Sequence, residues 1–446
     1  MIDFGSTYTK AVAMDLESET LIGRAQSPTT IGTDITIGMD RALEDLGAAC
    51  GCRADGAFRR YACSSAAGGL KIAAVGLVPD LTLKAAQRAA LGAGAKVLCA
   101  YGYEIDKGTA GEIEACGCDI VLLCGGTDGG NRQVMLHNAK ALSESGVACP
   151  ILVCGNRAAT GEAKEMLESK GKLVYTAKNV LPEVDRVEVE PAQELIRDIF
   201  IAHIVKAKGL DRAREFVQRD VIPTPAASLQ AARLLADGTR NEAGIGSLML
   251  VEVGGATTNI HSVEDVKAVT PQTLVRGLPE SRVMRTVEGD MGIRYNARAI
   301  FERSGDAGLD EYTRMVSADV EHVPQNEQEA LLDIALAKAA AGIATERHAG
   351  SLRNEFTAIG EVSIQRGKNL LGVKNIIGTG GIFKYGRAPG AVLDAAVFSE
   401  SAPWSLRPMS PKAWVDSEYI MYAIGLLSQE HPDSALRIAK KYLKPI

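Results

Sequence analysis

The chain opens on Asp3-Phe4-Gly5-Ser6-Thr7-Tyr8-Thr9-Lys10-Ala11, where a strand runs into a turn of small residues and a second strand follows. A similar run, Val253-Gly254-Gly255-Ala256-Thr257-Thr258, lies in the second half of the chain. Such turns direct backbone N–H groups and hydroxyls into one concavity, which suits phosphate oxygens. One turn alone is more often an ordinary hairpin. Because two of them occur in distant parts of one chain, the sequence predicts a nucleotide held between two lobes.

The composition is that of an ordinary globular protein and argues against several function classes. The 446 residues are enough for two or three domains, and 46% of them are hydrophobic and 23% charged. A net charge of −6 and an aromatic content of 5% argue against a nucleic-acid partner. We expect no membrane association and a cytoplasmic location, because neither a signal peptide nor an apolar run of membrane-spanning length is visible.

The nine cysteines all lie at or before position 154. They are Cys50, Cys52, Cys63, Cys99, Cys116, Cys118, Cys124, Cys149 and Cys154. They form no Cys-x-x-Cys pair, and the histidines form no His-x-x-x-His pair, so the sequence indicates neither a disulfide framework nor a zinc site. We expect reduced, buried thiols, with a redox role for Cys116 and Cys118 as the alternative.

Apolar strands alternate with helices between about residues 61 and 180, which indicates a parallel α/β module. The predicted strands are residues 72–78, 119–124 and 150–156, and the predicted helices are residues 82–92, 134–143 and 161–171. The glycine-rich loop Gly125-Gly126-Thr127-Asp128-Gly129-Gly130-Asn131 follows one of these strands, at the sheet edge where such folds place ligands. Its role is left open between ligand binding and a tight turn.

The sequence of the remaining residues predicts helices, a second hairpin and one further strand. A helical region at residues 193–216 carries a charged outer face with Arg197, Lys206, Lys208, Arg212 and Arg214. A helix of small residues follows Thr224-Pro225, where proline suits the first helical turn. The other predictions are a hairpin at 248–263, a strand at 374–382, and helices at 329–349, 416–427 and 434–443.

Five of these elements stand in the order found in the actin, sugar-kinase and heat-shock ATPase superfamily, which the chain resembles. They are the phosphate loops at 3–10 and 251–259, the connecting helices at 224–236 and 416–425, and the adenosine loop at 378–381. The resemblance implies an α/β, actin-like ATPase (ribonuclease-H-like) fold of two lobes, with an additional α/β module between the first phosphate loop and the first connecting helix. We expect residues 1–60 and 223–240 in the first lobe, 61–222 in the module and a helical region, and 241–446 in the second lobe.

Several motifs resemble more closely one branch, the GlmL/MutL family, which is associated with glutamate mutase and unrelated to the mismatch-repair protein of similar name. Besides the opening stretch, these motifs are Ser64-Ser65-Ala66-Ala67-Gly68-Gly69-Leu70-Lys71, the loop 125–131, Arg285-Thr286-Val287-Glu288-Gly289-Asp290 and Arg347-His348-Ala349-Gly350. The resemblance implies an ATPase that serves as a chaperone or reactivating factor for an adenosylcobalamin-dependent mutase, either glutamate mutase or an aminomutase. A homodimer is left open, and direct cobalamin binding is disfavoured because the sequence has no Asp-x-His-x-x-Gly motif.

The resemblance also implies the residues of an ATP/ADP and Mg²⁺ site. Asp3 and Glu252 would hold the metal, since Mg²⁺ uses few protein carboxylates and keeps several waters. Lys10 stands where the superfamily places a phosphate-binding lysine, with a solvated strand residue as the alternative. The residues expected to contact nucleotide are Gly5, Ser6, Thr7, Tyr8, Gly254, Gly255, Ala256, Thr257, Thr258, Glu288, Asp290, Gly378, Thr379, Gly380 and Gly381; for Glu288 and Asp290 a helix cap is the alternative.

The sequence departs from the family's pattern at three site positions. The second phosphate loop usually begins and ends with Asp, but Glu252 and Asn259 stand there. Thr224 stands where chaperone-type relatives carry an acid that orients the attacking water, and a threonine hydroxyl is a poor general base. Asp3, Lys10, Thr224 and Glu252 are therefore the candidate catalytic residues of a weak ATPase, which we expect to hydrolyse ATP slowly and to act as a switch.

The sequence leaves two other functions open. A small-molecule kinase of the same superfamily needs a carboxylate base, and Glu252 is the candidate. A filament-forming actin relative is the third class. Since only Met1 and Ile2 precede Asp3, we expect the first strand to be short or weakly anchored.

Overall fold

The computed structural model describes residues 1–30, 34–51, 58–65, 70–93, 95–184, 186–200, 211–357 and 360–446. The strands among them are β1 (Ile2–Phe4), β2 (Tyr8–Asp15), β3 (Thr20–Pro28), β4 (Ala62–Ser64), β5 (Lys71–Gly76), β6 (Lys96–Gly102), β7 (Ile120–Leu123), β8 (Ile151–Val153), β9 (Val174–Thr176), β10 (Ile222–Pro223), β11 (Leu248–Val253), β12 (Thr258–Val263), β13 (Leu274–Arg276), β14 (Val283–Glu288), β15 (Ser351–Thr357), β16 (Gly360–Arg366), β17 (Asn375–Thr379), β18 (Lys412–Asp416) and β19 (Leu443–Pro445).

The helices of the same residues lie between these strands, so the chain is a mixed α/β protein, as predicted. They are α1 (Ile35–Cys50), α2 (Lys84–Ala93), α3 (Lys107–Ala115), α4 (Gln133–Ser143), α5 (Arg157–Glu168), α6 (Glu190–Ile199), α7 (Asp211–Val217), α8 (Thr224–Asp237), α9 (Ala297–Ser304), α10 (Asp310–Ala318), α11 (Glu327–His348), α12 (Gly381–Tyr385), α13 (Pro389–Asp394), α14 (Met421–Leu427) and α15 (Pro432–Tyr442). No helix of the described ranges is both long and apolar enough to cross a bilayer.

The described residues separate into two compact units. The first contains those of 1–68, 208–276 and 280–446, and the second contains those of 69–207 together with 277–279.

Two sheets of the first unit repeat one strand arrangement. One has the order β10-β4-β1-β2-β3, and the other has the order β14-β12-β11-β17-β18-β19. In each, a hairpin (β1–β2 or β11–β12) lies at the centre, an antiparallel strand follows on one side, and two parallel strands follow on the other. β1 is short, as predicted, but it is buried and pairs on both sides, with β2 and β4. It is therefore not weakly anchored.

Small residues let two helices of the first unit pack at very short range, as the alanines of α8 predict. A β-carbon added to Gly425 in α14 would lie 1.8 Å from the carbonyl oxygen of Ala227 in α8. Both helices belong to an apolar core that also includes Leu250 of β11 and Ile377 of β17. This core fixes α8, and with it Thr224, against the central strands.

The predicted helix at 416–427 begins later than expected. Asp416 is the last residue of β18, and α14 begins at Met421. The Asp416 carboxylate accepts hydrogen bonds from the backbone N–H groups of Ile420 (2.7 Å) and Met421 (3.0 Å) and from the Thr379 hydroxyl (2.8 Å). This carboxylate satisfies backbone N–H donors at the start of α14. Asp416 therefore lies before the helix, at the end of β18, and not within the helix.

The second unit is the parallel α/β module that the sequence predicts. Its sheet has the order β6-β5-β7-β8-β9, and all its neighbouring strands are parallel. Strands β7 and β8 are completely buried, which explains their uninterrupted apolar sequences. The edge strand β6 and the helix α3 were not predicted. Every residue of β6 is only half-buried, although residues 97–101 form an apolar run.

The helical region predicted at 193–216 corresponds to α6 and α7. Residues 201–210, with Lys206 and Lys208, lie outside the described residues, as do Cys52 and residues 66–69 of the Ser64–Lys71 motif. A hairpin of β15 and β16 was not predicted, because its strands are about half exposed and their sequences are largely polar.

Candidate functional site

The two predicted phosphate turns are equivalent hairpins. In the first, Asp3 lies opposite Lys10 across β1 and β2, and Gly5 N–H donates to the Tyr8 carbonyl (3.1 Å). In the second, Glu252 lies opposite Asn259 across β11 and β12, and Gly254 N–H donates to the Thr257 carbonyl (2.9 Å). An acidic residue thus stands two positions before the turn glycine in each hairpin.

A β-carbon would be crowded at one glycine of each turn, by backbone in the first turn and by a side chain in the second. A β-carbon added to Gly5 would lie 2.5 Å from the Tyr8 carbonyl oxygen. A β-carbon added to Gly255 would lie 2.7 Å from the Thr7 hydroxyl oxygen, which belongs to the other hairpin. The two turns therefore approach one another directly, as the sequence predicts for a nucleotide clamp.

Both hairpins line one cavity of about 630 Å³, a size typical of small-molecule and cofactor sites. Its lining includes residues of the first hairpin (Asp3, Gly5, Ser6, Thr7, Tyr8, Lys10), of the second (Glu252, Val253, Gly254, Gly255, Ala256, Thr257, Asn259) and of the start of α8 (Thr224, Pro225). Further lining comes from Ile293, Arg294, residues 320–326, Ala330 and Asp333, and from Gly381, Ile382, Tyr385, Gly386, Arg387 and Tyr419.

Asp3 is almost completely buried and is held by several donors. Its Oδ2 receives the Lys10 ammonium at 2.6 Å, and its Oδ1 accepts the Thr224 hydroxyl at 2.6 Å and, more weakly, the Cys63 thiol at 3.5 Å. The Lys10 ammonium also lies 4.5 Å from the centre of the Tyr419 ring. Burial lowers the pKa of Lys10, but the charge and hydrogen bond of Asp3, together with Tyr419 and Tyr422, outweigh burial, and the net pKa lies well above its ordinary value. Lys10 is thus a buried cation at the cavity wall and not a solvated strand residue.

Glu252 has a comparable but different environment. Its Oε1 accepts the Ser228 hydroxyl at 3.2 Å, and its Oε2 accepts the Asn259 amide at 2.9 Å and contacts His261 Nε2 at 3.4 Å. Burial raises the pKa of Glu252, but the interactions with His261, Asn259 and Lys10 together outweigh burial, so the pKa lies below its ordinary value. Burial lowers the pKa of His261, so this imidazole is neutral and donates to the carboxylate. Glu252 is therefore a well-satisfied anion.

Two buried polar atoms at the cavity lack a partner. The Thr7 hydroxyl oxygen and the Asn259 side-chain oxygen both belong to lining residues, and neither has a hydrogen-bond partner within the described structure. Buried polar atoms in native proteins are almost always hydrogen-bonded. One unsatisfied atom in each hairpin therefore fits a polar ligand that occupies the space between them.

A further part of the cavity wall contains a buried ion pair. The Arg294 guanidinium binds Asp333 through two hydrogen bonds, at 2.6 Å and 3.0 Å, and Tyr312 donates its hydroxyl to the same carboxylate at 3.1 Å. The backbone N–H of Arg294 donates to the carbonyl of Gly255 at 2.9 Å, so this wall is tied to the second turn. Sequence reasoning missed Arg294 and Asp333, because they are far apart in the chain and form no local motif.

Some predicted nucleotide contacts lie elsewhere in the first unit. Glu288 and Asp290 both bind the Arg347 guanidinium, at 2.5 Å and 2.7 Å, and neither is among the described residues that line the cavity. In the predicted adenosine loop Gly381 lines the cavity, whereas Thr379 donates its hydroxyl to Asp416.

Gly378 and Gly380 accommodate neighbouring structure rather than the cavity wall. A β-carbon on Gly378 would lie 2.3 Å from the Phe383 ring, and one on Gly380 would lie 2.3 Å from the Val253 carbonyl oxygen. Gly380 therefore allows the end of β17 to pass close to the second phosphate hairpin. Thr258 also serves the fold, since its hydroxyl donates to the Met291 carbonyl at 2.6 Å.

Comparison with known proteins identifies relatives over the full length of the chain. The family model described as MutL protein matches residues 1–443. Protein MutL of Clostridium tetanomorphum is 45% identical over an alignment of 454 positions, which covers 99% of this chain and 98% of that relative.

Proposed function

The chain belongs to the MutL family, the group associated with glutamate mutase and not the mismatch-repair protein, and on this premise we propose that it is a nucleotide-dependent chaperone or reactivating factor for an adenosylcobalamin-dependent mutase. In this proposal the protein binds ATP, hydrolyses it slowly and changes its affinity for the mutase between nucleotide states. The observation that carries the ATP-binding part is the convergence of two equivalent hairpins on one cavity.

The repeated sheets support an actin-like arrangement of two lobes around that cavity. Each lobe of the proposed fold would contain one of the two sheets and one phosphate hairpin. The close contact between α8 and α14 fits the pair of connecting helices that the resemblance implies. A clamp built from two halves can change the distance between its hairpins, which gives a nucleotide a means of switching the protein.

The chain provides suitable groups for the phosphates and for Mg²⁺. The backbone amides of 5–7 and 254–257 and the unsatisfied Thr7 hydroxyl would bind phosphate oxygens, with Lys10 as a point charge. Asp3 and Glu252 would hold the hydrated metal, and the unsatisfied Asn259 oxygen offers a further hard ligand. When bound, Mg²⁺ would neutralise phosphate charge. Since Lys10 is already paired with Asp3, ligand binding would require this pair to be shared or separated.

Hydrolysis is expected to be slow because neither of the two candidate bases beside the phosphate hairpins, Thr224 and Glu252, suits that role. The Thr224 hydroxyl donates a hydrogen bond to Asp3, so Thr224 positions this carboxylate. Contacts with His261 and Asn259 help to hold the pKa of Glu252 below its ordinary value, which makes this carboxylate a weak base. The same low basicity weakens the kinase alternative, which relied on Glu252 to deprotonate a substrate hydroxyl.

The mutase part of the proposal rests on the family, and it requires a difference in affinity between nucleotide states. A ligand shifts a conformational equilibrium only as far as it binds the two states differently. Capture of a purified mutase by this protein should therefore depend on whether ATP, ADP or no nucleotide is present.

The experiment is a pull-down with glutamate mutase and, in parallel, with an adenosylcobalamin-dependent aminomutase. Each is tested with ATP, ADP and no nucleotide, always with Mg²⁺. The proposal predicts capture of one mutase that changes with the nucleotide. Capture that is equal in all three conditions, or absent for both mutases, contradicts the switching role. Phosphorylation of a metabolite by the purified protein would instead support the kinase.

A further inference from the structure

The second unit brings six of its cysteines together in three close pairs, although their sequence spacing showed no motif. The Sγ–Sγ distances are 3.3 Å for Cys99–Cys116, 3.7 Å for Cys118–Cys149 and 3.3 Å for Cys124–Cys154. All these thiols are free. The expectation of buried thiols holds for Cys63, Cys124 and Cys154, but it is wrong for the other described cysteines, which are only half-buried.

The backbone places Cys118 and Cys149 at a spacing that a disulfide can bridge. Cys118 lies two residues before β7 and Cys149 two residues before β8. These parallel strands are neighbours in which Val121 pairs with Ile151, so Cys149 is one residue out of register with Cys118. With strands about 4.8 Å apart and a rise of about 3.3 Å per residue, a one-residue offset gives a Cα–Cα separation of about 6 Å, within the range of about 4.4–6.8 Å that disulfides require. Side-chain rotation alone can therefore bring the two sulfur atoms into bonding distance.

The two thiols of this pair differ in reactivity. The hydrogen bond from Cys118 lowers the pKa of Cys149, although burial acts in the opposite direction. The hydrogen bond to Cys149, together with burial, raises the pKa of Cys118. Because the thiolate is the attacking species, Cys149 is the more reactive of the two and Cys118 holds the shared proton.

A fully buried pair in the same unit provides an internal comparison. Cys124 is 1% exposed and Cys154 is 0% exposed, yet their sulfur atoms are as close as any in the unit. The mutual hydrogen bond, together with burial, raises the pKa of Cys124 well above its ordinary value. The sulfur atoms are therefore close together in both the Cys118–Cys149 pair and the Cys124–Cys154 pair, but only the first pair is partly exposed to solvent.

We propose that Cys118 and Cys149 form a thiol–disulfide exchange site whose oxidant is a low-molecular-weight disulfide. The Cys149 thiolate attacks one sulfur of the small disulfide, whose S–S bond breaks and releases one thiolate. Cys118 then loses its proton, attacks Cys149 in the mixed disulfide and displaces the second thiolate. The two protein thiols are oxidised to one disulfide, the small disulfide is reduced to two thiols, and the two protons pass to the released thiolates.

The test treats the native full-length chain with oxidised glutathione, followed by acid quenching, alkylation, proteolysis and tandem mass spectrometry. We expect a peptide pair linked through Cys118 and Cys149 that reduction with dithiothreitol abolishes. Fragment ions distinguish Cys118 from its neighbours Cys116 and Cys124. The buried Cys124–Cys154 pair should become linked only when the protein is unfolded in denaturant before treatment.

Two substitutions test the assigned order of attack. Cys118→Ser should leave Cys149 as a stable mixed disulfide with glutathione, because no resolving thiol remains. Cys149→Ser should leave Cys118 largely unmodified under the same conditions. The proposal is overturned if the native chain yields no Cys118–Cys149 link, if Cys124–Cys154 is linked as readily, or if Cys118 is the residue that retains glutathione. The Cys118–Cys149 link is measured in the folded native protein, and the mixed disulfide is measured in the folded Cys118→Ser variant. The test therefore remains decisive even if Cys149→Ser does not fold.

Discussion

Gly255 and Thr7 lie so close together that a β-carbon on Gly255 would be 2.7 Å from the Thr7 hydroxyl oxygen. One residue belongs to the hairpin of β11 and β12, the other to the hairpin of β1 and β2, and both line the same cavity. This contact joins two segments that are far apart in the chain, and it defines the position of the proposed nucleotide clamp.

The first prediction concerns this contact. Gly255→Ala should weaken ATP binding by about tenfold or more, equivalent to about 1.4 kcal/mol, because the new methyl group forces the turns apart. Calorimetric titration measures the affinity. Gly111→Ala is the matched control, since Gly111 lies in α3 of the second unit and a β-carbon added there would meet open space.

A double-mutant cycle separates steric crowding from a general loss of fold. Thr7→Ala removes the hydroxyl that the methyl group introduced by Gly255→Ala would meet. If crowding is the cause, the loss of ATP-binding free energy in the double variant should be smaller than the sum of the losses in the two single variants. Residues in contact couple by about 0.5–3 kcal/mol. Strictly additive losses would argue against the contact.

The second prediction concerns the buried ion pair of Asp3 and Lys10. Lys10→Met should destabilise the first unit by about 3 kcal/mol, because it leaves the Asp3 charge buried with only neutral donors. Urea unfolding measures the change. Asp3→Asn combined with Lys10→Met should recover much of the loss, and a double variant no more stable than Lys10→Met alone would show that the ion pair is not the cause.

The third prediction is a pH dependence of stability from Asp416. Burial raises the pKa of Asp416 to about 6 from its ordinary value of 3.8, although hydrogen bonds from Thr379, Met421 and Ile420 oppose the shift. The folded state therefore holds this proton more tightly than the unfolded state. Its contribution to stability is full below about pH 4 and is lost as the pH rises through about 6, by up to about 3 kcal/mol at 1.36 kcal/mol per pKa unit.

Asp416→Asn isolates this effect, because an amide does not titrate. The stability of the native protein relative to the variant should fall between pH 4 and pH 6 and then remain constant. Chemical unfolding at several pH values measures the difference. A constant difference over this range, or one that grows in favour of the native protein, would be inconsistent with a raised pKa.

The fourth prediction concerns the rate of ATP hydrolysis. Because Thr224 and Glu252 are both engaged in hydrogen bonds, steady-state phosphate release should be slower than about 10 per second, a typical enzyme turnover. A coupled phosphate assay with saturating ATP and Mg²⁺ measures the rate. A faster turnover would mean that the cavity contains a base that the present assignment lacks.

The sequence predicts the parts of the site that are encoded locally. The turns at 5–7 and 254–257 follow from glycine and threonine chemistry, and the buried strands β7 and β8 follow from their apolar runs. The Arg294–Asp333 pair could not be predicted, because its members are 39 positions apart and meet only after folding. The start of α14 was misplaced for a related reason: Asp416 reads as a helix residue in sequence but acts as its cap from the end of a strand.

The cysteine pairs likewise form only on folding and could not be predicted from the sequence. Cys118 and Cys149 are 31 positions apart, and only the pairing of β7 with β8 brings them together. The roles of Glu288 and Asp290 as nucleotide contacts stay predictions. In the structure both carboxylates bind Arg347.

Calorimetric titration of the full-length native chain with ATP in the presence of Mg²⁺ tests the central claim most directly. The account predicts saturable binding of one ATP per chain, weakened in Gly255→Ala and unchanged in Gly111→Ala. Absence of saturable binding by the native chain, or equal affinity in all three proteins, would contradict a nucleotide site between the two hairpins.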